Sequence, residues 1–291
     1  MARTLKGSDP KKAKASKPKI LIFGAPGVGK TWAALDFPAV YYIDCEGGAN
    51  LPHYTDKLKK SGGLYLGPDD GANDFAAVTE DLITLATTQH RFKTLVIDSY
   101  SKIFNSQVAR DYERMESAKR DMEKTFGAEK KGAINWTRKW LLWFEKLDMN
   151  VILVCHEKDM WKDGVAIGQT YDGWDKLAYE LHLAMRITKA GSVRKAKVTK
   201  SRLEQFADAA TIDWSYAAFA ELYGREILEA DARPVQPVTD EQIAEYNAAL
   251  SVIKVDEKVL DKWRDVEIAD LAFDDLQKRI DYLNKLKDGG K

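Results

Sequence analysis

One eight-residue stretch near the start of the chain constrains the fold more than any other feature of the sequence. Residues 24–31 read Gly-Ala-Pro-Gly-Val-Gly-Lys-Thr and match the pattern Gly-x4-Gly-Lys-[Ser/Thr]. A short apolar run, Ile20–Phe23, precedes the pattern, and a helix is predicted over Thr31–Leu35. Between a buried strand and a helix, the glycines let successive backbone N–H groups converge on phosphate oxygens. The sequence therefore predicts a phosphate-binding loop at the end of the first strand.

The loop and a carboxylate further along the chain together predict ATP and Mg²⁺ as cofactors. Lys30 supplies a cation toward the β- and γ-phosphates, and the Thr31 hydroxyl is a ligand for Mg²⁺. Asp98 ends the apolar run Thr94–Asp98, and at the carboxyl end of a strand beside the loop it can hold the same ion through water. Nucleotide contacts are predicted for every residue of the loop, namely Gly24, Ala25, Pro26, Gly27, Val28, Gly29, Lys30 and Thr31.

Hydrolysis needs a group that orients or deprotonates the attacking water, and the sequence offers a candidate directly after a strand. Glu46 follows the apolar run Val40–Asp44 and precedes two glycines. We predict that it is the water-activating base, with a solvated turn carboxylate as the alternative. His156 follows the run Val151–Cys155 and is predicted to sense the γ-phosphate at the same sheet edge. A capping or core histidine is the ordinary alternative for that position.

Short apolar runs alternate with longer amphipathic ones, which indicates a doubly wound α/β domain. The runs are apolar throughout, as expected of strands buried on both faces of a parallel sheet. The predicted strands are Ile20–Phe23, Val40–Asp44, Thr94–Asp98 and Val151–Cys155, and further helices are predicted near residues 73–88, 100–124 and 134–147. In the last helix, aromatic residues from Trp136 to Phe144 recur at helical spacing, and we interpret them as a core face rather than a base-stacking surface. Later β-rich runs predict an antiparallel extension of the sheet, near Leu183–Thr188, Val193–Lys200 and Ala210–Trp214.

The two ends of the chain differ from its centre in composition. By prediction, residues 1–18 form a flexible basic arm, 19–229 a nucleotide-binding core, 230–238 a linker with two prolines, and 239–291 a small helical module. Thr239 and Gln242 open the module with a capping box. The formal net charge of zero hides a net of +6 over residues 1–19, so the remainder carries −6. The charge of the whole chain therefore gives no reason to expect nucleic-acid binding, and any such binding has to be local.

Several classes of protein are excluded by composition. The apolar runs are far shorter than the ~18 residues that a membrane-spanning helix needs. Two cysteines, Cys45 and Cys155, cannot build a disulfide framework, which favours buried thiols in a cytoplasmic protein. The four histidines are dispersed and have no metal-ligand spacing, so a zinc site is not expected.

These pieces, in this order, resemble the RecA/RadA-type recombination ATPases over residues 20–214. Three stretches carry the resemblance: Tyr42–Glu46, Val96–Ser99, and the region from Gly173 through Leu203. The sequence is most similar to the short phage-encoded ATPases of recombination and single-strand annealing, a phage nucleotide-binding AAA-type family. The resemblance implies a RecA-like fold, ATP hydrolysis and, for a phage protein, the host cytoplasm as its location. His156 stands where the bacterial recombinase has a glutamine that links ATP to its DNA-binding loop.

The resemblance also implies a homo-oligomer, ring or filament, with ATP at the subunit interfaces. Val198-Thr-Lys-Ser-Arg-Leu203 matches a family motif in which two cations reach the γ-phosphate of a neighbouring subunit. Lys200 and Arg202 alternate along a predicted strand, so both can point the same way. Such cations would couple hydrolysis to assembly, as an arginine finger does. A solvated strand face is the alternative interpretation of these two residues.

Single-stranded DNA is the partner that the resemblance implies for the segment Glu157–Lys176, because the family places a DNA-binding loop after this strand. The segment holds the cations and aromatics that bind phosphates and stack bases, and we predict contacts for Lys158, Trp161 and Lys162. An ordinary β-hairpin around Asp163-Gly164 is the equally weighted alternative. The C-terminal helices could dock a single-strand-binding or annealing protein, or could simply close their own core.

Other functions remain open at this stage. A ring-forming helicase or a packaging-type motor shares the phosphate-binding loop. A phosphotransferase would need an arginine-bearing lid, and no segment of that kind stands out. An ATPase driven by a protein partner, without direct DNA binding, is the last alternative. Stimulation of hydrolysis by single-stranded DNA would distinguish a RecA-type ATPase that acts on DNA from this partner-driven alternative.

Overall fold

A β-sheet forms the centre of the molecule. The computed structural model describes residues 16–48, 51–118, 127–264 and 266–289, and nine strands lie within these ranges. The strands are β1 (Lys19–Gly24), β2 (Val40–Asp44), β3 (Leu64–Leu66), β4 (Thr94–Asp98), β5 (Asn150–Lys162), β6 (Val165–Tyr171), β7 (Leu183–Ala190), β8 (Val193–Ser201) and β9 (Thr211–Asp213). The four strands predicted first along the chain are all present.

The strand order is β3-β2-β4-β5-β1-β7-β8-β9, and β6 pairs with the outer part of β5. The strands from β3 to β7 in this order run parallel, whereas β8 and β9 continue the sheet in antiparallel fashion. The predicted fold class, a mostly parallel α/β sheet with an antiparallel extension and C-terminal helices, is therefore confirmed. Gly24 is in register with His156, and Asp44 with Asp98. The ends of β1, β2 and β4 and the middle of β5 consequently meet at one edge.

Helices cover both faces of the sheet. They are α1 (Lys30–Ala34), α2 (Pro52–Ser61), α3 (Phe75–Thr87), α4 (Tyr100–Ser117), α5 (Lys131–Lys146), α6 (Leu177–Glu180), α7 (Tyr216–Tyr223), α8 (Arg225–Glu229), α9 (Asp240–Val252), α10 (Glu257–Arg264) and α11 (Phe273–Gly289). The helix predicted to reach Lys124 ends earlier, at Ser117, and residues 119–126 lie outside the described part of the chain. Trp140, Trp143 and Phe144 of α5 are buried, which confirms that this aromatic stripe is a core face.

The extended strand β5 corrects the sequence prediction, which ended the strand at Cys155. Beyond His156 the chain continues as an antiparallel hairpin with β6, in register from Glu157–Tyr171 to Lys162–Val165. Asp163 and Gly164 form the turn, with φ values of 51° and 78°. Of the two alternatives for this segment, a DNA-binding loop and a β-hairpin, the backbone adopts the hairpin. No side chain from His156 to Lys162 is buried, so this second half of the strand lacks the continuous apolar run that marks the first half.

Chain segments predicted as an arm and a linker pack against the core where they are described. Lys17 is 4% exposed and its Nζ donates to the carbonyl of Ala230, so the last residues of the predicted arm are held in place. The Val235 amide donates to the Ala86 carbonyl at 2.8 Å. The rest of the arm, residues 1–15, lies outside the described ranges. The division into arm, core, linker and module stays a prediction.

The C-terminal helices pack around their own apolar cluster and are tied to the core by ion pairs. Their buried side chains include Tyr246, Leu276, Ile280 and Leu283. Lys139 of α5 contacts Asp270 at 2.7 Å, and Lys146 contacts Asp275 at 3.1 Å. Within the described ranges, no helix has the length and apolar character needed to span a lipid bilayer.

Candidate functional site

The loop between β1 and α1 is shaped by two glycines that the backbone requires. At Gly24 an added Cβ would overlap the carbonyl oxygen of Ile187 on β7, so this position passes too close to the next strand for any side chain. Gly29 has φ +87°, in the left-handed region that glycine adopts without strain. The loop therefore has the tight backbone that phosphate binding needs, directly before the first turn of α1.

Lys30 lies with its ammonium group inside the loop. Its Nζ donates to the carbonyls of Gly24 at 2.8 Å and Ala25 at 3.0 Å. Burial lowers the pKa of this ammonium group, while the nearby charges of Asp98 and Glu46 act in the opposite direction. The predicted phosphate-binding cation is thus hydrogen-bonded to the loop backbone and within electrostatic reach of both carboxylates.

Asp98 and Thr31 meet as the predicted metal site requires. The carboxylate of Asp98, which is 7% exposed, accepts a 2.5 Å hydrogen bond from the Thr31 hydroxyl and a 3.2 Å bond from Tyr42 Oη. Burial raises the pKa of Asp98 to about 6. One carboxylate beside one hydroxyl fits Mg²⁺, which is commonly held by one or two carboxylates plus substrate phosphates. No group of three or more histidine, cysteine, aspartate or glutamate side chains within the described residues suggests a dedicated metal cage.

Glu46, Ser99 and His156 form a hydrogen-bonded cluster at the same edge. Glu46 Oε1 lies 2.5 Å from His156 Nε2 and accepts a 2.6 Å bond from Ser99 Oγ. The bond from His156 lowers the pKa of Glu46 to about 2, against the opposing effect of burial. The same bond raises the pKa of His156 above its ordinary value. The structure thus brings together the predicted base and the predicted sensor as an ion pair.

Two side chains that the sequence did not single out position this cluster. Asp44 Oδ1 accepts from the backbone amides of Glu46 and Gly47 at 3.0 and 2.9 Å, which fixes the turn that carries Glu46. Ser101 Oγ accepts from the His156 amide at 2.8 Å and donates to the Asp172 carbonyl at 2.6 Å. Ser101 therefore connects the start of α4 to the base of the β5–β6 hairpin. An isolated serine after an Asp-Ser strand end gives no sequence signal for such a role.

Lys200 and Arg202 lie far along the sheet from their own phosphate loop. Lys200 is in register with Ala184 of β7, which is in register with Leu21 near the start of β1. The two side chains donate to backbone carbonyls there, Lys200 to Leu181 and Arg202 to Tyr179. Burial, with the charge of Arg202, lowers the pKa of Lys200 to about 8. The pair therefore sits at the sheet edge opposite to the loop.

The three residues predicted to contact DNA all lie on the β5–β6 hairpin. Trp161, next to the turn, is 64% exposed, and Lys162 follows it. Lys158 lies nearer the base of the hairpin, 3.6 Å from both Asp172 and Asp175. The hairpin thus presents an aromatic ring and one cation at its tip, and a second cation that is already beside two carboxylates.

A cation that the sequence analysis missed covers the phosphate loop. Arg194 of β8 packs against Gly29, where an added Cβ would lie 2.8 Å from Arg194 Cδ and 3.0 Å from its Cζ. The sequence signal was spacing. Arg194 precedes Ala196 by two residues and Val198 by four, so all three share one face of a strand, and the structure buries the two apolar residues.

The chain matches a known protein family and, at low sequence identity, several solved structures. A family described as an AAA domain matches residues 16–191, more than half of the chain. No curated protein matches the sequence. Among solved structures, the RadB recombinase is similar at a TM-score of 0.41 and 15% identity, over 67% of this chain and 86% of that one. A KaiC-like protein from the hyperthermophilic archaeon Pyrococcus horikoshii OT3 has a TM-score of 0.40 and 15% identity, over 67% of this chain and 84% of that one.

Proposed function

This chain belongs to the AAA-domain family and is a P-loop ATP hydrolase, and we propose that it hydrolyses ATP with Mg²⁺ and with Glu46 as the group that activates water. The observation that carries the proposal is the convergence of three groups at one sheet edge: the Lys30 loop, the Asp98–Thr31 pair and the Glu46 cluster. Parallel strands bring them together because their carboxyl ends meet there.

Each group has a separate task in this proposal. The loop amides and Lys30 bind the phosphates, and Thr31 with Asp98 would hold Mg²⁺. When bound, the ion would neutralise charge on the β- and γ-phosphates. Glu46 accepts a hydrogen bond from the attacking water and orients it, while Ser99 and His156 hold the carboxylate in place. Since His156 and Ser99 both contact Oε1, the second carboxylate oxygen is the one we assign to water.

Loss of the loop cation tests this proposal directly. Lys30→Ala should abolish both nucleotide binding and hydrolysis, measured by calorimetric titration and by phosphate release. Lys197→Ala, which removes an exposed cation from β8, is the matched control and should hydrolyse ATP at the wild-type rate. Hydrolysis by Lys30→Ala at the control's rate would refute the site assignment.

We further propose that single-stranded DNA contacts the β5–β6 hairpin and stimulates hydrolysis. The support is geometric: His156, which bonds to Glu46, begins the part of β5 that carries Trp161 and Lys162 at its tip. An exposed aromatic ring beside a cation suits base stacking and phosphate neutralisation. A movement of the hairpin on binding would reach the Glu46 carboxylate through one residue.

The test compares ATP hydrolysis with and without single-stranded DNA, with Lys30→Ala as the blank. Stimulation should disappear in Trp161→Ala combined with Lys162→Ala, whereas Tyr112→Ala, which removes an exposed aromatic side chain from α4, should keep it. Equal turnover with and without DNA would contradict this step and favour an ATPase driven by a protein partner. The exposed apolar side chains Met160, Val165 and Ile167 on the same hairpin support that alternative.

Assembly is the third part of the proposal: Lys200 and Arg202 serve the ATP of a neighbouring copy. Their position at the edge opposite to their own loop supports action on another subunit. The Lys200→Ala/Arg202→Ala protein and the Lys30→Ala protein should each be inactive alone. Mixing them should restore part of the hydrolysis, because a mixed interface then combines an intact loop with intact cations. Normal hydrolysis by the Lys200→Ala/Arg202→Ala protein would refute this part.

The biological setting that we propose is phage recombination, in which the ATPase acts on single-stranded DNA during annealing. Annealing of complementary strands in the presence of ATP would support it, whereas unwinding of a forked duplex would favour a helicase. Docking of a single-strand-binding or annealing protein on the α9–α11 helices belongs to the same proposal. Its test is a chain truncated after residue 238, which should lose binding to such a protein while it still hydrolyses ATP.

A further inference from the structure

We propose that Arg194 is a nucleotide-binding residue that donates to the phosphate next to the nucleoside. This inference rests on the proposed function, since it concerns the same loop. It adds a residue outside the phosphate-loop motif and specifies which phosphate that residue contacts. Three independent observations carry it: the face of β8 on which Arg194 lies, the absence of an anionic partner for Arg194 in the described part of the chain, and the order of the strands.

Arg194 occupies a position on β8 where an apolar residue would be expected. Side chains at alternate positions of a strand share a face, and Ala196 and Val198, on the same face as Arg194, are at most 1% exposed. That face packs in one apolar cluster with Ala33 and Ala34 of α1, the helix that begins in the phosphate loop. The neighbouring cations Lys195 and Lys197 lie on the other, exposed face. Arg194 is therefore directed toward the loop by the strand itself.

The guanidinium group of Arg194 has no anionic partner among the described residues. Its Nε is buried and has no hydrogen-bond partner there, although a buried donor without a partner is costly. Lys57, a second cation, lies close enough for the two positive charges to repel, and Lys57 Nζ already contacts Asp36 at 2.8 Å. A half-buried arginine that lies against a phosphate-binding loop, with a buried Nε that has no partner among the described residues, is best satisfied by an anion.

The order of the strands decides which part of the nucleotide Arg194 meets. Glu46, Asp98 and His156 follow or belong to β2, β4 and β5, which all lie on one side of β1. Arg194 belongs to β8, two strands away from β1 on the other side. A nucleotide whose terminal phosphate faces Glu46 and Asp98 therefore extends its nucleoside end toward β7 and β8. Arg194 accordingly meets the phosphate next to the nucleoside, which ADP and ATP share.

The test measures affinity for Mg·ADP and for Mg²⁺ with the non-hydrolysable β,γ-imido analogue of ATP, by calorimetric titration of the full chain. Arg194→Gln removes the charge, and Arg194→Met removes it while keeping an apolar stem over Gly29, which guards against a folding defect. Lys197→Gln removes a charge from the exposed face of the same strand and is the matched control. Thermal melting of each variant verifies that it is folded.

Both Arg194 variants should bind ADP and the ATP analogue more weakly by the same factor, about tenfold or more, as expected for loss of a charge-assisted hydrogen bond. The Lys197→Gln control should bind both as the wild type does. Unchanged ADP affinity in the Arg194 variants would overturn the proposal. A loss confined to the ATP analogue would also overturn it, because Arg194 would then act at the terminal phosphate. Failure of the wild-type protein to bind either nucleotide would refute the proposed function instead.

Discussion

Replacing Glu46 by Gln separates the chemical step from nucleotide binding. The substitution keeps the size of the side chain and an oxygen that can accept the bonds from Ser99, at 2.6 Å, and from His156, at 2.5 Å. It removes the negative charge and the ability to take a proton. Phosphate binding depends on the loop backbone and Lys30, which this change leaves in place. We therefore expect slower hydrolysis with unchanged nucleotide affinity.

The size of the effect follows from the state of the carboxylate. A positioned general base contributes roughly 10²–10⁴-fold to a rate. Because the bond from His156 lowers the pKa of Glu46 to about 2, this carboxylate is a weak proton acceptor while the pair is intact. Its contribution should then be mainly the orientation of water, at the lower end of that range. We expect kcat to fall about 100-fold, which is about 3 kcal/mol in the activation free energy.

The assay is steady-state phosphate release at saturating ATP, together with calorimetric affinities for ADP and the β,γ-imido analogue of ATP. Glu204→Gln is the control, since it removes an exposed carboxylate two residues after Arg202, at the opposite edge of the sheet. If Glu46→Gln and Glu204→Gln hydrolyse ATP at similar rates, Glu46 has no part in the chemical step. A loss of affinity that matches the loss of kcat would place Glu46 in phosphate binding instead.

Three further predictions concern pH and stability. Glu46 raises the pKa of His156, and protonated His156 in turn lowers the pKa of Glu46 and so its strength as a base. Hydrolysis should therefore rise as pH increases through the pKa of His156, because Glu46 then becomes the stronger base. In His156→Asn this rise should move to lower pH, where Glu46 itself loses its proton, and an unchanged rate profile would contradict the reasoning. Burial raises the pKa of Asp98 to about 6, so its carboxylate lowers the stability of the nucleotide-free protein as pH rises through that value. The free energy of unfolding of Asp98→Asn should therefore exceed that of the wild type by up to about 3 kcal/mol at pH 8, but not at pH 4, as measured by urea unfolding. Asp270→Ala should lower the free energy of unfolding in urea by about 3 kcal/mol, because the Asp270 carboxylate, 6% exposed, pairs with Lys139, 24% exposed. A loss below about 1 kcal/mol would mean that the pair contributes no more than a surface ion pair does.

The strands and the phosphate loop could be predicted because their signals are local. An apolar run buried on both faces, such as Val40–Asp44, contains its own evidence, and so does a glycine pattern between a strand and a helix. Short or exposed elements lacked such evidence: α2 and β3 have few buried residues, and the outer half of β5 has none. Their structure depends on pairing with partners elsewhere in the chain.

Residue types and spacing in the sequence were enough to indicate a phosphate loop, a metal carboxylate and a candidate base, since each requires particular atoms at a strand end. Only the tertiary structure decided which of these groups touch. The ion pair of Glu46 with His156 joins residues 110 positions apart, because β5 lies between β1 and β4 and directs His156 to the same edge. The positions of Arg194 and Lys200 at opposite ends of β8 likewise follow from strand register. Charge is written in the sequence, whereas the partner of a charge is set by packing between distant segments.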